Sequence, residues 1–263
     1  MIMKTVNWDG DDPRRTILTY LQAQLPDPWE RWSPDLDPDR LIRALGAARP
    51  PGPLPPEVAL AWSTYLDRQR AESVPVDPRD FPAREGGLAI WRGDITRLAA
   101  DAIVNAANSA LLGCFHPLHA CIDNAIHSAA GPGLRLACAE LMGAQGHPEP
   151  VGQAKVTPGF HLPSRYVIHT VGPQVPGAVQ PGHRRDLEAC YRSVLEAAAT
   201  LPDVRTLAFC SISTGVFGYP IEEAAPVAVG TVRTWLFDHP GRFDRVIFDV
   251  FSAEDEEVYR GQF

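Results

Sequence analysis

From about residue 84 onward, short apolar runs alternate with stretches whose apolar residues recur at helical spacing. Residues 87–91 and 102–105 read as short buried strands. A helix follows over 119–130, starting between Pro117 and Cys121. Strands at 154–157 and 166–170 precede a helix at 184–199, in which Leu187, Tyr191, Val194, Leu195 and Ala198 share one face. A strand at 206–210, a helix at 221–237 and a strand at 245–251 complete the series. Strands alternating with helices predict an α/β fold, with a mostly parallel sheet covered on both faces. In such sheets ligands sit at the carboxyl ends of strands. Most of the chain's unusual polar residues fall there.

Residues 1–83 have another texture. They are rich in proline (Pro13, Pro26, Pro28, Pro34, Pro38, Pro50, Pro51, Pro53, Pro55 and Pro56) and hold Trp8, Trp29, Trp32 and Trp62. Asp12-Pro13 and Asp37-Pro38 each read as an N-cap followed by proline in the first helical position. Behind them Ile17, Leu18, Leu21 and Leu25, then Leu41, Ile42 and Leu45, keep helical spacing. A third helix follows Pro55-Pro56, with Val58, Trp62, Tyr65 and Leu66 on one face. The expectation is a helical extension packed on a main domain at 84–263, with partner docking as the alternative. No catalytic constellation lies in it.

Composition narrows the function. The 263 residues are 45% hydrophobic and carry a net charge of −8. Such a surface repels a phosphate polyanion, which argues against nucleic acid as partner. A single small anion held by backbone N–H groups at a helix N-terminus stays compatible with it. No apolar run reaches about 18 residues, so no membrane span is expected. The N-terminal residues are too polar and acidic for a signal peptide, and the expected location is cytoplasmic. Five scattered cysteines, at 114, 121, 138, 190 and 210, do not make a disulfide framework.

Three segments carry candidate chemistry. Asp94, in Gly93-Asp94-Ile95-Thr96 after the first strand, has a carboxylate suited to an exocyclic amino group; it is equally suited to capping a turn. Asn105-Ala106-Ala107-Asn108-Ser109 leaves the second strand, and asparagine amides donate and accept at once, as ribose hydroxyls require. Asx turns account for one asparagine as well. The segment 211–220 (Ser211-Ile212-Ser213-Thr214-Gly215-Val216-Phe217-Gly218-Tyr219-Pro220) places glycines before a helix, so that successive N–H groups can form an anion nest. No lysine follows the glycines, which excludes a P-loop.

Taken in order with Tyr166-Val167-Ile168-His169-Thr170-Val171-Gly172-Pro173, these motifs resemble the macrodomain family of MacroD type over about residues 86–252. The resemblance implies a three-layer α/β/α sandwich with a mixed, mostly parallel sheet, binding ADP-ribose. It sets Asp94 and Ile95 at the adenine, with Phe251 stacking on the base. Ser213, Thr214, Gly215, Val216 and Phe217 would embrace the diphosphate, and Asn108 would face the distal ribose.

The chain departs from that pattern after the asparagines. Where most such members have a glycine-rich loop over the phosphates, it reads Gly113-Cys114-Phe115-His116-Pro117-Leu118-His119-Ala120-Cys121-Ile122-Asp123-Asn124-Ala125-Ile126-His127. Cys114, His119 and Cys121 offer two thiolates and an imidazole, the preferred zinc donors, with a fourth position left open. The spacing is no zinc-finger spacing, and by itself it leaves a buried thiol among unrelated polar residues as the alternative. The segment is similar to that of a zinc-containing macrodomain subgroup, which also carries an N-terminal helical extension. That likeness implies one Zn2+ per chain, with Cys121, Ile122 and Asp123 beside the distal ribose. His116 is expected to face solvent, His127 to be structural, and Cys138, Cys190, Cys210 and His169 to lie in the core.

The implied activity is hydrolysis of the bond joining ADP-ribose to a mono-ADP-ribosylated protein, with Asn108 orienting the ribose and Asp123 positioning a water or hydroxyl. Subgroup resemblance suggests a lipoyl-carrier protein as the modified partner. Two other readings stand beside it: a non-catalytic ADP-ribose reader, and a hydrolase whose nucleophile is Cys121 at a helix N-terminus.

Overall fold

The computed structural model describes residues 11–25 and 36–263; Trp8, Trp29, Trp32, Pro26, Pro28 and Pro34 lie outside them. Asp12 and Asp37 cap helices α1 (Pro13–Gln24) and α2 (Pro38–Ala48), accepting from the backbone N–H of Arg14 and Arg40 at 2.9 Å each. Helix α3 (Pro56–Glu72) follows. The three helices bury Ile17, Leu21, Leu45 and Trp62 in a core of their own, separate from that of the sheet.

The sheet is built from β1 (Leu88–Arg92), β2 (Ala102–Ala106), β3 (Ala154–Pro158), β4 (Tyr166–Thr170), β5 (Thr206–Phe209) and β6 (Arg245–Val250). Its order is β1-β6-β5-β2-β4-β3. Every pairing is parallel except β3 with β4, so the sheet is mixed. Helices α4 (Ile122–Ala130) and α5 (Pro132–Gln145) pack on one face, and α6 (Pro181–Ala199), α7 (Ile221–Asp238) and α8 (Ala253–Arg260) on the other. This is a three-layer α/β/α sandwich. Among the described residues, no helix is long and apolar enough to cross a membrane.

Local chemistry explains where the elements differ from the sequence expectation. Helix α4 begins at Ile122, not at 119, because Leu118 has φ 54° and Cys121 is extended at φ −126°, ψ 156°. The chain therefore folds back through the cysteine–histidine segment before helical geometry starts. Helix α5, unread from the pattern, is separated from α4 by Gly131 at φ 84° and opens on Pro132. Helix α8 went unread for a related reason. It is acidic, with only Val258 and Tyr259 as large apolar residues, and it begins at a Ser252–Asp255 capping box.

The extension is tied to the sandwich behind α4. Arg135 of α5, only 6% exposed, donates to the carbonyls of Gly46 (3.1 Å), Ala47 (2.9 Å) and Arg49 at the end of α2. A cation at a helix C-terminus satisfies carbonyls the helix itself leaves unpaired. The same guanidinium lies 4.5 Å over the Phe115 ring, so one side chain joins α5, α2 and the cysteine–histidine loop. Asp67 of α3 adds a hydrogen-bond contact between its carboxylate and His161 Nδ1 at 3.3 Å.

Candidate functional site

Asn105 on β2 and His169 on β4 are register partners, so their side chains share one face of the sheet, and both are completely buried. The Asn105 Nδ2 donates to Asp123 Oδ1 at 2.8 Å and reaches His169 Nδ1 at 3.1 Å. The opposite amide orientation would set Oδ1 against the carboxylate. His169 Nδ1 is thus an acceptor, and its proton sits on Nε2, directed at Thr157 Oγ1 at 2.9 Å. Asn108 Nδ2 donates to the other Asp123 oxygen at 3.2 Å and to the Gly113 carbonyl at 3.0 Å. The Asx turn is present too, because Asn108 Oδ1 accepts from Ala110 N–H at 3.0 Å. Two asparagines from one strand end therefore hold the two oxygens of one carboxylate in the first turn of α4.

Burial pushes Asp123 up to about 6, against the pull of the Asn105 amide, Arg135 and the Asn108 amide. His127, one turn along α4, brings Nε2 to 3.5 Å from Asp123 Oδ1. Burial, with the nearby His169 and Arg135, holds His127 far below its ordinary value, so its imidazole is neutral. Among the described residues, neither of its ring nitrogens has a hydrogen-bond partner, an environment the reading of His127 as a structural residue did not anticipate.

Cys114, His119 and Cys121 converge: their ligand atoms all lie within 4.8 Å of one another, with Cys114 Sγ and His119 Nδ1 3.5 Å apart. Zinc bonds of roughly 2.3 Å to sulfur and 2.0–2.1 Å to nitrogen in tetrahedral geometry put neighbouring ligand atoms on the order of 3.5–4 Å apart. The donor set and its spacing fit that ion. His116 is exposed and stands outside the group, its ring 6.1 Å from that of His119. The loop is fastened from below, where Asn124 Nδ2 donates to the His116 carbonyl at 2.9 Å. Burial pushes the Cys121 thiol up to about 11 and the adjacent Cys114 adds to it. That is the wrong direction for a free thiolate nucleophile. His127, Cys138 and His169 also approach within 4.8 Å of one another. There His169 Nε2, 3.7 Å from Cys138 Sγ, carries the proton directed at Thr157 Oγ1 and so has no lone pair to offer a metal.

The loop after β5 has the form of an anion nest. Among the described residues, the backbone N–H groups of Gly215, Val216 and Phe217 have no protein acceptor. Ser213 adopts φ 68°, rare for a residue with a side chain, and its Oγ is buried without a partner. The turn after β4 presses against it: a Cβ on Gly172 would lie 2.0 Å from Ser213 Oγ. Only glycine permits that approach. Thr214 Oγ1 is turned inward to the Ser211 carbonyl at 2.9 Å. Val216 is 72% exposed at the rim.

At the far edge, Asp94 Oδ1 accepts from Thr96 N–H (3.0 Å) and Thr96 Oγ1 (2.6 Å), so the capping role is realised with one oxygen. The Ile95 side chain is buried in the core, leaving only its main chain to offer a ligand. Phe251, just past β6, is 88% exposed. Sequence reading missed Asp249 on β6. Its Oδ1 is buried without a partner among the described residues, and burial together with the Asp94 charge pushes it up to about 9. A lone acidic residue within an otherwise apolar strand was its one sequence signal. Asn105 and Arg135 were missed as site-building residues; Asn105 was visible beside Asn108, whereas nothing local marked Arg135.

A Macro domain model matches residues 104–228. A protein-ADP-ribose hydrolase of Treponema medium is 42% identical over 249 residues, 92% of this chain and 95% of that protein. One of Staphylococcus aureus (strain MRSA252) is 43% identical over 225 residues, 85% of this chain and 84% of that one. A Trypanosoma brucei macrodomain solved in complex with ADP-ribose superposes with a TM-score of 0.65 at 32% identity, covering 86% of this chain and 96% of that one. An Oceanobacillus iheyensis macrodomain solved with ADP gives 0.59 at 39% identity, over 66% and 88% of the two chains. The chain belongs to the macrodomain family. Its likeness to the hydrolases runs along most of its length, well into the helical extension.

Proposed function

We propose that this protein removes ADP-ribose from mono-ADP-ribosylated proteins, with one zinc ion held by Cys114, His119 and Cys121. The observation that carries this reading is the Asp123 carboxylate, held by Asn105 and Asn108 two residues from Cys121. The order of strands supports it. Carboxyl ends run β1, β6, β5, β2 across the sheet, bearing Asp94, Phe251, the nest of 213–217 and the asparagines with Asp123. Adenine, diphosphate and distal ribose follow the same order along a linear ligand, over three strand steps totalling on the order of 14 Å.

In this arrangement the N–H groups of Gly215, Val216 and Phe217 donate to diphosphate oxygens, aided by the N-terminus of α7. Asp94 accepts from the adenine amino group through its free oxygen, and Phe251 covers the base. Asp123 accepts a hydrogen bond from a distal-ribose hydroxyl or a water. The asparagines fix the direction of its lone pairs. When bound, zinc supplies Lewis-acid polarisation of hydroxyl and water. The modified partner proposed is a lipoyl-carrier protein, and the site of action the cytoplasm.

The test pairs metal analysis with turnover of aspartyl-, glutamyl-, seryl- and arginyl-linked ADP-ribose by wild type and Cys114→Ala. Zinc at one per chain in the wild type, lost in the variant together with turnover of at least one linkage, is expected. Full activity in metal-free protein refutes the zinc role; tight ADP-ribose binding with no turnover of any linkage refutes hydrolysis.

A further inference from the structure

Behind α4 a cavity of about 270 Å³ opens between the helical extension and the sandwich. Its floor is apolar, made by the side chains that α2 and α3 also bury among themselves. Its charge is unlike that of the molecule. Arg43 from α2, Arg70 from α3 and Arg97 from the turn after β1 all line it, and among the described residues Asp94 is its one carboxylate. Arg43 makes no ion pair among the described residues. Among the described residues, the Arg97 guanidinium donates to the Val74 carbonyl alone, at 3.2 Å. Arg70 has a loose partner in Asp67 at 3.5 Å, and both side chains are about half exposed. The guanidinium groups of Arg49 and Arg135 also reach the cavity, but they are spent on main-chain carbonyls of the α2 end and its following turn. Three available cations in a hollow of a chain with net charge −8 are a local reversal of sign.

The hollow is continuous with the site. Cys114 and Asn124 are among its lining residues, so it reaches the zinc-ligand loop and the turn of α4 that carries Asp123. We infer that this groove receives an acidic stretch of the modified protein's own polypeptide, next to the side chain that bears ADP-ribose. The inference rests on the hydrolase reading above. A side chain linked to the distal ribose leaves the site at the metal loop, and the polypeptide that carries it continues past Cys114 towards Arg43 and Arg70. Carboxylates on that stretch complement the arginine fork geometry, and the apolar floor accepts the intervening side chains. It also gives the extension a role in selecting substrate.

The test uses the full chain with Arg43→Glu and Arg70→Glu together, outside the ligand-binding machinery. Two synthetic peptides carry the same ADP-ribosyl linkage, one flanked by aspartates and glutamates, the other by serines and glycines. Wild type should favour the acidic peptide, and the double variant should raise KM for it about tenfold, an effect that 0.5 M salt reproduces in the wild type. Turnover of the neutral peptide and the Kd for free ADP-ribose should stay within twofold, which also shows the variant to be folded. Equal losses on both peptides, or none on either, overturn the inference. If wild type turns over neither peptide, the hydrolase reading fails by itself; the groove is then judged by calorimetric Kd of the two peptides for wild type and variant, where equal affinities overturn it.

Discussion

Gly113 sits where three parts of the site meet, and Gly113→Ala tests whether they are as tightly coupled as the structure implies. Its φ is 79°, in the left-handed region, so an alanine there costs on the order of 1–2 kcal/mol in the backbone alone. The new Cβ would lie 2.8 Å from Cγ and 3.0 Å from Nδ1 of His127, a ring that is 6% exposed and enclosed. Overpacking of this kind costs roughly 1–3 kcal/mol. The two together take about 2–5 kcal/mol from a total stability of order 5–15 kcal/mol. For a domain of this size that is a fall in Tm on the order of 5–15 °C. Moving the loop is the one way to relieve the contact. The Gly113 carbonyl accepts from Asn108, and Cys114 follows directly, so relief releases the Asn108 amide from Asp123 and draws Cys114 Sγ away from His119. Whichever route is taken, zinc affinity or Tm falls, and kcat falls with the Asn108 contact. Thermal melts, zinc stoichiometry under a chelator series and single-turnover rates read these separately. Gly143→Ala is the control: that glycine is exposed inside α5, with nothing within 4 Å of an added Cβ, and alanine there should stabilise by about 0.5–1 kcal/mol. A Gly113→Ala protein matching wild type in Tm, zinc affinity and rate would refute the coupling.

His169→Leu removes the acceptor that aligns the Asn105 amide, leaving Asp123 with a freer partner. One neutral hydrogen bond of about 0.5–1.5 kcal/mol corresponds to a loss of roughly 3–10-fold in kcat, with the Kd for ADP-ribose unchanged; unaltered kcat contradicts the role. Asp249, held protonated by burial and by Asp94 at a value of about 9 against 3.8 when exposed, makes folding most favourable below pH 3.8 and progressively less so as pH rises towards 9. Asp249→Asn abolishes that slope, so its Tm advantage over wild type should grow between pH 5 and pH 8.5; a constant difference rules the explanation out. Arg135→Met strips the α2 carbonyls of their donor and Phe115 of its cation, costing on the order of 3 kcal/mol. Limited proteolysis should then cut between α3 and β1 much faster than in the wild type, and equal cleavage rates would show that the extension is held by other contacts.

The strands were legible because each is a short apolar run ending in polar or glycine residues, and all six fall within a residue or two of the expected bounds. The first two helices were legible from Asp-Pro capping and spacing, the third from Pro55-Pro56 and the spacing behind it. What escaped is what depends on a second element. Helix α5 was hidden because its break from α4 is a single glycine, and its buried face (Leu134, Arg135, Cys138) includes a charged residue. Arg135 reads as an ordinary helical arginine until α2 is folded against it. Asn105 received no role of its own beside Asn108, since nothing along the chain tells that β4 would set His169 opposite it.

The same distinction accounts for the form of the cysteine–histidine loop. A helix starting at 119 would have set His119 and Cys121, two residues apart, on opposite faces, about 200° apart around the helical axis. Instead Leu118 takes a left-handed φ and Cys121 an extended one, delaying α4 until Ile122 and bending His119 back to Cys114. That delay also sets Asp123 as the second residue of the helix, where the unpaired N–H groups of the first turn favour a carboxylate. Shifting the helix start by three residues would move Asp123 away from both asparagines. The proposed metal donors and the carboxylate are therefore placed by one local event, and a substitution that extends α4 backwards disrupts both together.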